Sequence, residues 1–304
     1  MEPTELRKII NKINDLPTLP TFLNKISEVM NDPKTSANDL GNIISKDQVQ
    51  TSKLLKLVNS SFYGFPRKIG SVKDAIVILG FNTIRKLCLS ISIINLFNEQ
   101  NHTNFNRESF WEHSIGCAVG SKIIAKYMGY DEMEDMFVAG LLHDIGKIAL
   151  DSFFHKDFMR VFQRILESNI LMIDAEEEIL EFTHTHVGRL LAEKWKLPPK
   201  LVDAIAFHHD PTETIEFAQE ASIVHLADIM CRARNIGSGG DVKVPPLNEK
   251  AWQMLQLKLS AIEPIMDEIG IEFKETASII TSSNGTSDHE QYYKNIHCKT
   301  SAGR

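Results

Sequence analysis

The sequence lacks the features that mark secreted, membrane-spanning and nucleic-acid-binding proteins. Its four cysteines are scattered and form no Cys-x-x-Cys pair, which argues against a disulfide framework and a structural zinc ribbon. The longest uncharged apolar run, residues 87–97, is shorter than the about 20 residues that a membrane-spanning helix needs. The N-terminus has no basic segment followed by an apolar one, and no basic block interrupts a chain of net charge −7. We therefore expect a cytoplasmic protein that neither spans a membrane nor binds nucleic acids in general.

The alternation of apolar and polar residues that is typical of β-strands is also missing. Apolar residues recur instead at spacings of three and four along most of the 304 residues, beginning with a short stripe over residues 6–13. This spacing predicts an all-α fold. Residues 98–106 are polar and are expected to link two helical lobes. The expected divisions are an N-terminal lobe over 1–103, a second lobe over 104–236, C-terminal helices over 237–280 and a weakly ordered tail over 281–304.

Capping residues, glycines and prolines predict where several helices begin and end. Ser36 and Asp47 stand where helix-capping side chains are expected, and Gly80 stands where a helix is expected to stop. The helical pattern over residues 174–195 is expected to break near Thr183. The sequence Ile-Gly-Ser-Gly-Gly over 236–240 is expected to form a flexible connector.

The adjacent pair His143-Asp144 stands inside an apolar run over residues 137–150, on what is expected to be a buried helix. Burying an unpaired carboxylate costs several kcal/mol or forces it to protonate. The pair therefore needs a partner, and a cation is the natural one. Other histidines and one aspartate stand on helix faces that are otherwise apolar. The candidate metal ligands are His113, His143, Asp144, His184, His208, His209 and Asp228.

Five imidazoles and two carboxylates make a ligand set that suits divalent iron, manganese, nickel or zinc. Two such ions about 3.5–4 Å apart can activate a water molecule and hold a phosphoryl group. Lys147, about one helical turn after His143, is placed to bind a phosphate oxygen. Each residue taken alone has a plainer explanation, because a single histidine on an apolar face is more often a hydrogen-bonded core residue, as expected of His186 and His225. The pairs at 143–144 and 208–209 favour the metal site.

Five segments together resemble a known family. They are Leu16-Pro-Thr-Leu-Pro20, Asn59-Ser-Ser-Phe-Tyr-Gly64, Ser71 to Gly80, Gly140-Leu-Leu-His-Asp-Ile-Gly-Lys147, and His184-Thr-His-Val-Gly188 with Trp195-Lys-Leu-Pro198. As a set they look like the HDOD family, an all-helical relative of the HD phosphohydrolases that is found in bacterial signalling. The resemblance covers about residues 16–235.

The second lobe is similar to the HD-GYP branch, whose members hydrolyse cyclic di-GMP at a centre of two or three metal ions. The resemblance implies the same seven ligands and gives Lys147 the role of the catalytic lysine. Trinuclear members carry a glutamate four residues before the first ligand, where this chain has Ser109, so a dinuclear centre is expected. The Gly-Tyr-Pro signature is absent after His209, which weakens the expectation of cyclic di-GMP as substrate.

Two functions remain open from the sequence. In the first, the chain is a metal-dependent phosphohydrolase or phosphodiesterase that acts on a nucleotide or cyclic dinucleotide. Asp144 would then bridge two metal ions, and Lys147 would stabilise charge on the phosphate. In the second, the chain is a regulatory module with a structural or sensory metal site and a signalling protein as its partner. The complete ligand set favours the first, and the usual character of the HDOD family favours the second.

Overall fold

The computed structural model describes residues 18, 21–30, 34–61, 63–97 and 105–281. Over these residues the secondary structure is helical and contains no strand, which confirms the all-α prediction. The stripe over 6–13, most of the linker over 98–106 and the tail from 282 onward lie outside the described residues.

The described part of the N-terminal lobe consists of helices whose ends follow the local sequence signals. They are α1 (Thr21–Met30), α2 (Ala37–Ile44), α3 (Gln48–Val58) and α4 (Val72–Phe97). Ser36 and Asp39 form a capping box at the start of α2, and the Asp47 carboxylate accepts a hydrogen bond from the backbone N–H of Gln50 in α3. Gly80 has a φ of 82° and divides α4 by a kink, at the position where the sequence predicts a stop.

The second lobe and the C-terminal segment are also helical. Their helices are α5 (Arg107–Met128), α6 (Met133–Leu142), α7 (Ile145–Phe153), α8 (His155–Ser168), α9 (Met172–Leu180), α10 (His184–Lys194), α11 (Pro199–Phe207), α12 (Ala218–Ala233), α13 (Glu249–Leu255) and α14 (Ile262–Thr281). The predicted break near Thr183 separates α9 from α10. The prediction that His143-Asp144 lies within one helix is wrong, because α6 ends at this pair and α7 begins after it.

Apolar side chains of the described residues form two clusters. One contains α1, α2, α3 and the part of α4 up to Ile91, whereas the other begins at Ile93 and includes Leu255 and Ile269 from the C-terminal helices. α4 thus contributes to both cores. Its length and composition would allow it to cross a membrane, but the kink at Gly80 and its buried side chains are those of a core helix. The division of the chain into four segments stays a prediction.

Polar contacts join the first lobe to the start of α6. The Asp135 carboxylate on α6 is buried and lies 2.7 Å from Lys86 Nζ on α4 and 2.6 Å from Lys200 Nζ on α11. The Tyr63 hydroxyl donates a hydrogen bond of 2.9 Å to Glu134. Since α6 ends at His143, one helix connects this lobe contact to the candidate metal ligands.

Candidate metal centre

The fold brings all seven predicted ligands together. His113 comes from α5, His143 and Asp144 from the turn between α6 and α7, His184 from the first residue of α10, His208 and His209 from the end of α11, and Asp228 from α12. Their side chains are buried, except that His209 retains partial exposure. Three helices and two turns therefore converge on one point inside the second core.

Asp144 occupies the middle of this arrangement. Its Oδ2 atom lies 3.3 Å from His143 Nε2 and 3.9 Å from His113 Nε2. Its Oδ1 atom lies 3.2 Å from His184 Nε2 and 3.6 Å from His208 Nε2. The two oxygens of one carboxylate thus face two separate pairs of imidazoles.

Each pair of imidazoles is completed by one further ligand. The Oδ1 atom of Asp228 lies 3.0 Å from His113 Nε2 and joins the first donor set. The Nε2 atom of His209 lies 3.2 Å from His184 Nε2 and joins the second. Asp144 is shared by both sets, so each set offers four protein ligands.

Backbone carbonyls orient three of the histidines so that Nε2 faces the centre. The Nδ1 atoms of His143 and His208 lie 2.7 and 2.9 Å from the carbonyl oxygens of Gly140 and Ile205, and His113 Nδ1 lies 3.3 Å from that of Ile236. A carbonyl oxygen only accepts hydrogen bonds, so Nδ1 of each ring carries a proton, and the lone pair of the neutral ring is then on Nε2. This is the orientation that a metal-binding histidine requires.

Some of the inward-facing atoms have no hydrogen-bond partner although they are fully buried. They are His143 Nε2, His208 Nε2 and Asp144 Oδ1. A buried polar atom without a partner costs about 1–3 kcal/mol. Three such atoms at one point, all of them good ligands for a divalent transition metal, fit a bound cation.

The sequence reasoning missed Glu176, which positions His184. Its Oε2 atom accepts hydrogen bonds from the backbone N–H of His184 at 2.9 Å and from Nδ1 of the same residue at 2.6 Å. The Glu176 side chain is fully buried and its Oε1 atom has no partner. A carboxylate on the outer nitrogen of a ligand histidine fixes the ring and raises its basicity.

Electrostatics hold the two carboxylates of the centre in their charged form. Burial raises the pKa of Asp144, but the interactions with His143 and Lys147 outweigh this effect and hold the pKa well below its usual value. Burial likewise opposes ionisation of Asp228, and the Arg232 guanidinium 2.8 Å away reverses the effect on its pKa. Both groups are therefore ready to bind a cation near neutral pH.

For His208 and His209, burial favours the neutral imidazole. It lowers the pKa of His208 to about 4 and holds the pKa of His209 well below its usual value, with a further contribution from neighbouring imidazoles. Neutral imidazole is the form that binds a metal.

Lys147 is fully buried beside the centre. Its Nζ atom donates hydrogen bonds to Asp144 Oδ2 at 2.7 Å and to the carbonyl oxygen of Gly239 at 2.8 Å. The sequence places Lys147 correctly on the wall of the site. The sequence does not indicate the contact between Lys147 and Gly239. It predicts a flexible connector over residues 236–240, whereas these residues pack over the centre.

Cys117 and His225 are two further buried side chains next to the predicted ligands. The Cys117 Sγ atom is 3.6 Å from Nε2 of His113 and lies within 4.8 Å of donor atoms of His143 and Asp228, so a thiolate is within reach of the first donor set, which the sequence reasoning did not predict. His225 Nδ1 lies 2.7 Å from the carbonyl oxygen of His208, and its Nε2 accepts a hydrogen bond from the N–H of Asn248. Both nitrogens of His225 are thus used in fixing the backbone behind His208.

Comparison with known proteins supports the family resemblance seen in the sequence. The family model for the HDOD domain matches residues 16–211. The chain belongs to the HDOD family. A solved HDOD domain protein of unknown function from Geobacter sulfurreducens is 30% identical and superposes with a TM-score of 0.74, covering 91% of this chain and 96% of that one. In an HDOD chain, the His/Asp cluster indicates metal binding.

More distant relatives share the fold or part of the sequence. A Shewanella amazonensis SB2B structure whose name refers to a phosphohydrolase is 21% identical with a TM-score of 0.72, over 90% of this chain and 98% of that one, which shows the fold alone. An uncharacterised Treponema pallidum protein is 26% identical over 74% of this chain, and ribonuclease Y of Mycoplasma mycoides is 28% identical over 51%. The chain spans 44% and 30% of the length of these two relatives.

Proposed function

We propose that this HDOD protein is a phosphohydrolase that works with two divalent metal ions. One observation carries the proposal: the two oxygens of Asp144 face two different donor sets, one completed by Asp228 and the other by His209. A site for a single ion needs no such division. A shared carboxylate between two sets is the arrangement that holds two ions close together.

The first ion would be held by His113, His143, Asp144 and Asp228, and the second by Asp144, His184, His208 and His209. Iron, manganese, nickel and zinc all suit these ligands. When bound, a pair of such ions supplies Lewis acidity toward a phosphoryl oxygen and lowers the pKa of water. Glu176 and the carbonyls of Gly140 and Ile205 hold the imidazoles in place for this purpose.

Lys147 and the burial of the site would contribute to stabilising charge on the phosphate. A buried ammonium beside Asp144 offers a positive charge to a phosphate group, and in a site closed to water this attraction is stronger than at the surface. The substrate that we propose is a nucleotide-like phosphate ester, a cyclic dinucleotide included. The second lobe supports this choice through its resemblance to the HD-GYP branch.

Metal content and hydrolysis measured on the same preparations test the proposal. Protein isolated without oxygen should carry close to two metal ions per chain and should hydrolyse a phosphodiester such as bis(p-nitrophenyl) phosphate or a cyclic dinucleotide. Lys147→Gln should keep the metal and lose at least about 100-fold in kcat, as removal of one charged group at a reacting centre does. Lys156→Gln, an exposed lysine on α8, is the matched control and should behave as the unaltered protein.

A second candidate function is that of a regulatory module that binds a signalling protein. The link from the first lobe through Asp135 and α6 to His143 favours it, since a partner on that lobe would act on the centre through one helix. Protein with two metal ions per chain and no turnover on cyclic dinucleotides, nucleotides and simple diesters would support this function and contradict the first.

A further inference from the structure

Residues 237–241, Gly-Ser-Gly-Gly-Asp, form a strap across the candidate centre. The N–H of Ser238 donates a hydrogen bond of 2.9 Å to the carbonyl oxygen of Ser109 at the start of α5. The carbonyl oxygen of Gly239 accepts a hydrogen bond from Lys147, and the Asp241 carboxylate accepts one from the N–H of Met172 at 2.9 Å. The strap is thus fixed to three elements that surround the ligands.

The glycines of the strap are required by close packing. At Gly239 a Cβ atom would lie 2.4 Å from the Arg232 guanidinium, and at Gly237 it would lie 2.2 Å from the carbonyl oxygen of Ser109. Gly237 and Gly240 also have positive φ angles of 58° and 105°. A linker that only joins two helices would need neither the contacts nor these backbone angles.

The strap accepts hydrogen bonds from two cationic side chains beside the centre, Lys147 and Arg232. Lys147 Nζ donates to the Gly239 carbonyl at 2.8 Å. The Nη1 atom of Arg232 donates to Asp241 Oδ1 at 3.0 Å, while its Nε atom donates to the ligand Asp228. One ammonium and one guanidinium directed at oxygens from the same short segment resemble the recognition of a phosphate group.

We propose that the strap is an autoinhibitory lid, and that its Gly239 and Asp241 oxygens occupy the positions that phosphate oxygens take on Lys147 and Arg232. The inference rests on the proposed function and adds Arg232 as a binding residue for the phosphate. It accounts for a centre whose ligands are almost completely buried, because the substrate gains access when the strap moves away. At its C-terminal end the strap is held by polar contacts, since Arg232 Nη1 donates to Asp241 and to the Lys243 carbonyl, and a phosphate on Arg232 would replace them.

Binding of inorganic phosphate to metal-loaded full-length protein tests the proposal. The variant Asp241→Ala removes the strap's acceptor for Arg232, so phosphate should bind at least about tenfold more tightly than to the unaltered protein. Val242→Ala, at the adjacent exposed position, is the control and should not change the affinity. Arg232→Gln introduced into Asp241→Ala should abolish the gain.

Hydrogen exchange of the unaltered protein gives a second measurement that does not depend on any variant. Saturating phosphate should accelerate amide exchange in residues 237–241, with the Ser238 amide losing the protection given by Ser109. Two results would contradict the proposal that the strap is a lid. One is equal phosphate affinity of the unaltered protein and Asp241→Ala, and the other is phosphate binding that leaves this exchange unchanged. Protein that binds two metal ions and phosphate but hydrolyses no ester would contradict the proposed function without contradicting the proposal that the strap is a lid.

Discussion

Lys147 and Asp144 form an ion pair that is shut off from solvent, with Nζ 2.7 Å from Oδ2 and both side chains fully buried. The same Oδ2 atom faces His143 and His113, so the lysine and the first donor set share one oxygen. A buried pair of this kind gives little net stability, because desolvating both charges offsets their attraction. Its position beside a set of metal ligands favours a functional role for Lys147.

Asp144 is predicted to be indispensable for both metal ions. The variant Asp144→Asn keeps the size of the side chain but removes the negative charge between the two donor sets, so metal content should fall from two ions per chain to nearly none. Inductively coupled plasma mass spectrometry on the purified protein measures this. Asp157→Asn, an exposed position on α8, is the control and should retain the full content. Full metal content in Asp144→Asn would contradict the shared carboxylate.

Variants of the unshared ligands should remove one ion each. Asp228→Asn affects only the set with His113 and His143, and His209→Gln affects only the set with His184 and His208. Each variant should therefore carry about one ion per chain at a metal concentration that gives two in the unaltered protein. The same measurement distinguishes two ions from one, because a mononuclear centre would lose its whole content or none in both variants.

Local sequence signals were sufficient for much of the helical structure. Ser36 and Asp47 each satisfy a backbone N–H group three residues away, so their roles depend on nothing distant in the chain. The ligands could also be found, because histidines and carboxylates on apolar helix faces need partners. The pairing of His113 with Asp228 agrees with that reasoning.

The features that the sequence did not show depend on close approach between distant segments. The chain leaves the helix at Asp144, where φ is −99° and ψ is 9°, and a Cβ at Gly146 would lie 1.9 Å from the carbonyl oxygen of His184. Glu176 begins a run of three glutamates that is typical of a solvent-exposed face, yet it is buried against His184. The strap has the composition of a linker, and only its contacts with Lys147 and Arg232 distinguish it from one.

Glu176 is predicted to tune the metal affinity of the second set. Glu176→Gln keeps an acceptor for the backbone but removes the charge next to His184 Nδ1, so metal affinity should fall by about 10–100-fold, as is usual for a carboxylate behind a ligand histidine. Competition with a chromophoric chelator measures the change. The neighbouring exposed residue gives the control, and Glu177→Gln should leave the affinity unchanged. An equal effect of both variants would show that overall charge is responsible.

His208 is predicted to stay neutral far below the ordinary pKa of histidine. Burial lowers its pKa to about 4 in the folded protein, whereas the unfolded value is close to 6.5. The unfolded chain therefore binds the proton first, and the stability that His208 contributes above pH 6.5 is lost as the pH falls from 6.5 to 4. Nitrogen-15 NMR of the metal-free protein at pH 5.5 should show a neutral ring with the proton on Nδ1. A charged ring at that pH would contradict the prediction.

Asp135 is predicted to stabilise the junction between the lobes. Asp135→Asn leaves the ammonium groups of Lys86 and Lys200 without their shared counterion, and both lysine side chains are less than one-fifth exposed. Loss of one partner from a fully buried pair costs about 3–5 kcal/mol, and the partial exposure of both lysines reduces our expectation to about 2 kcal/mol. Urea unfolding of the metal-free protein measures the change in the free energy of unfolding. Lys86→Met should cost less than Asp135→Asn, because the carboxylate then keeps Lys200, whereas equal losses would show that the Lys86 contact alone stabilises the junction.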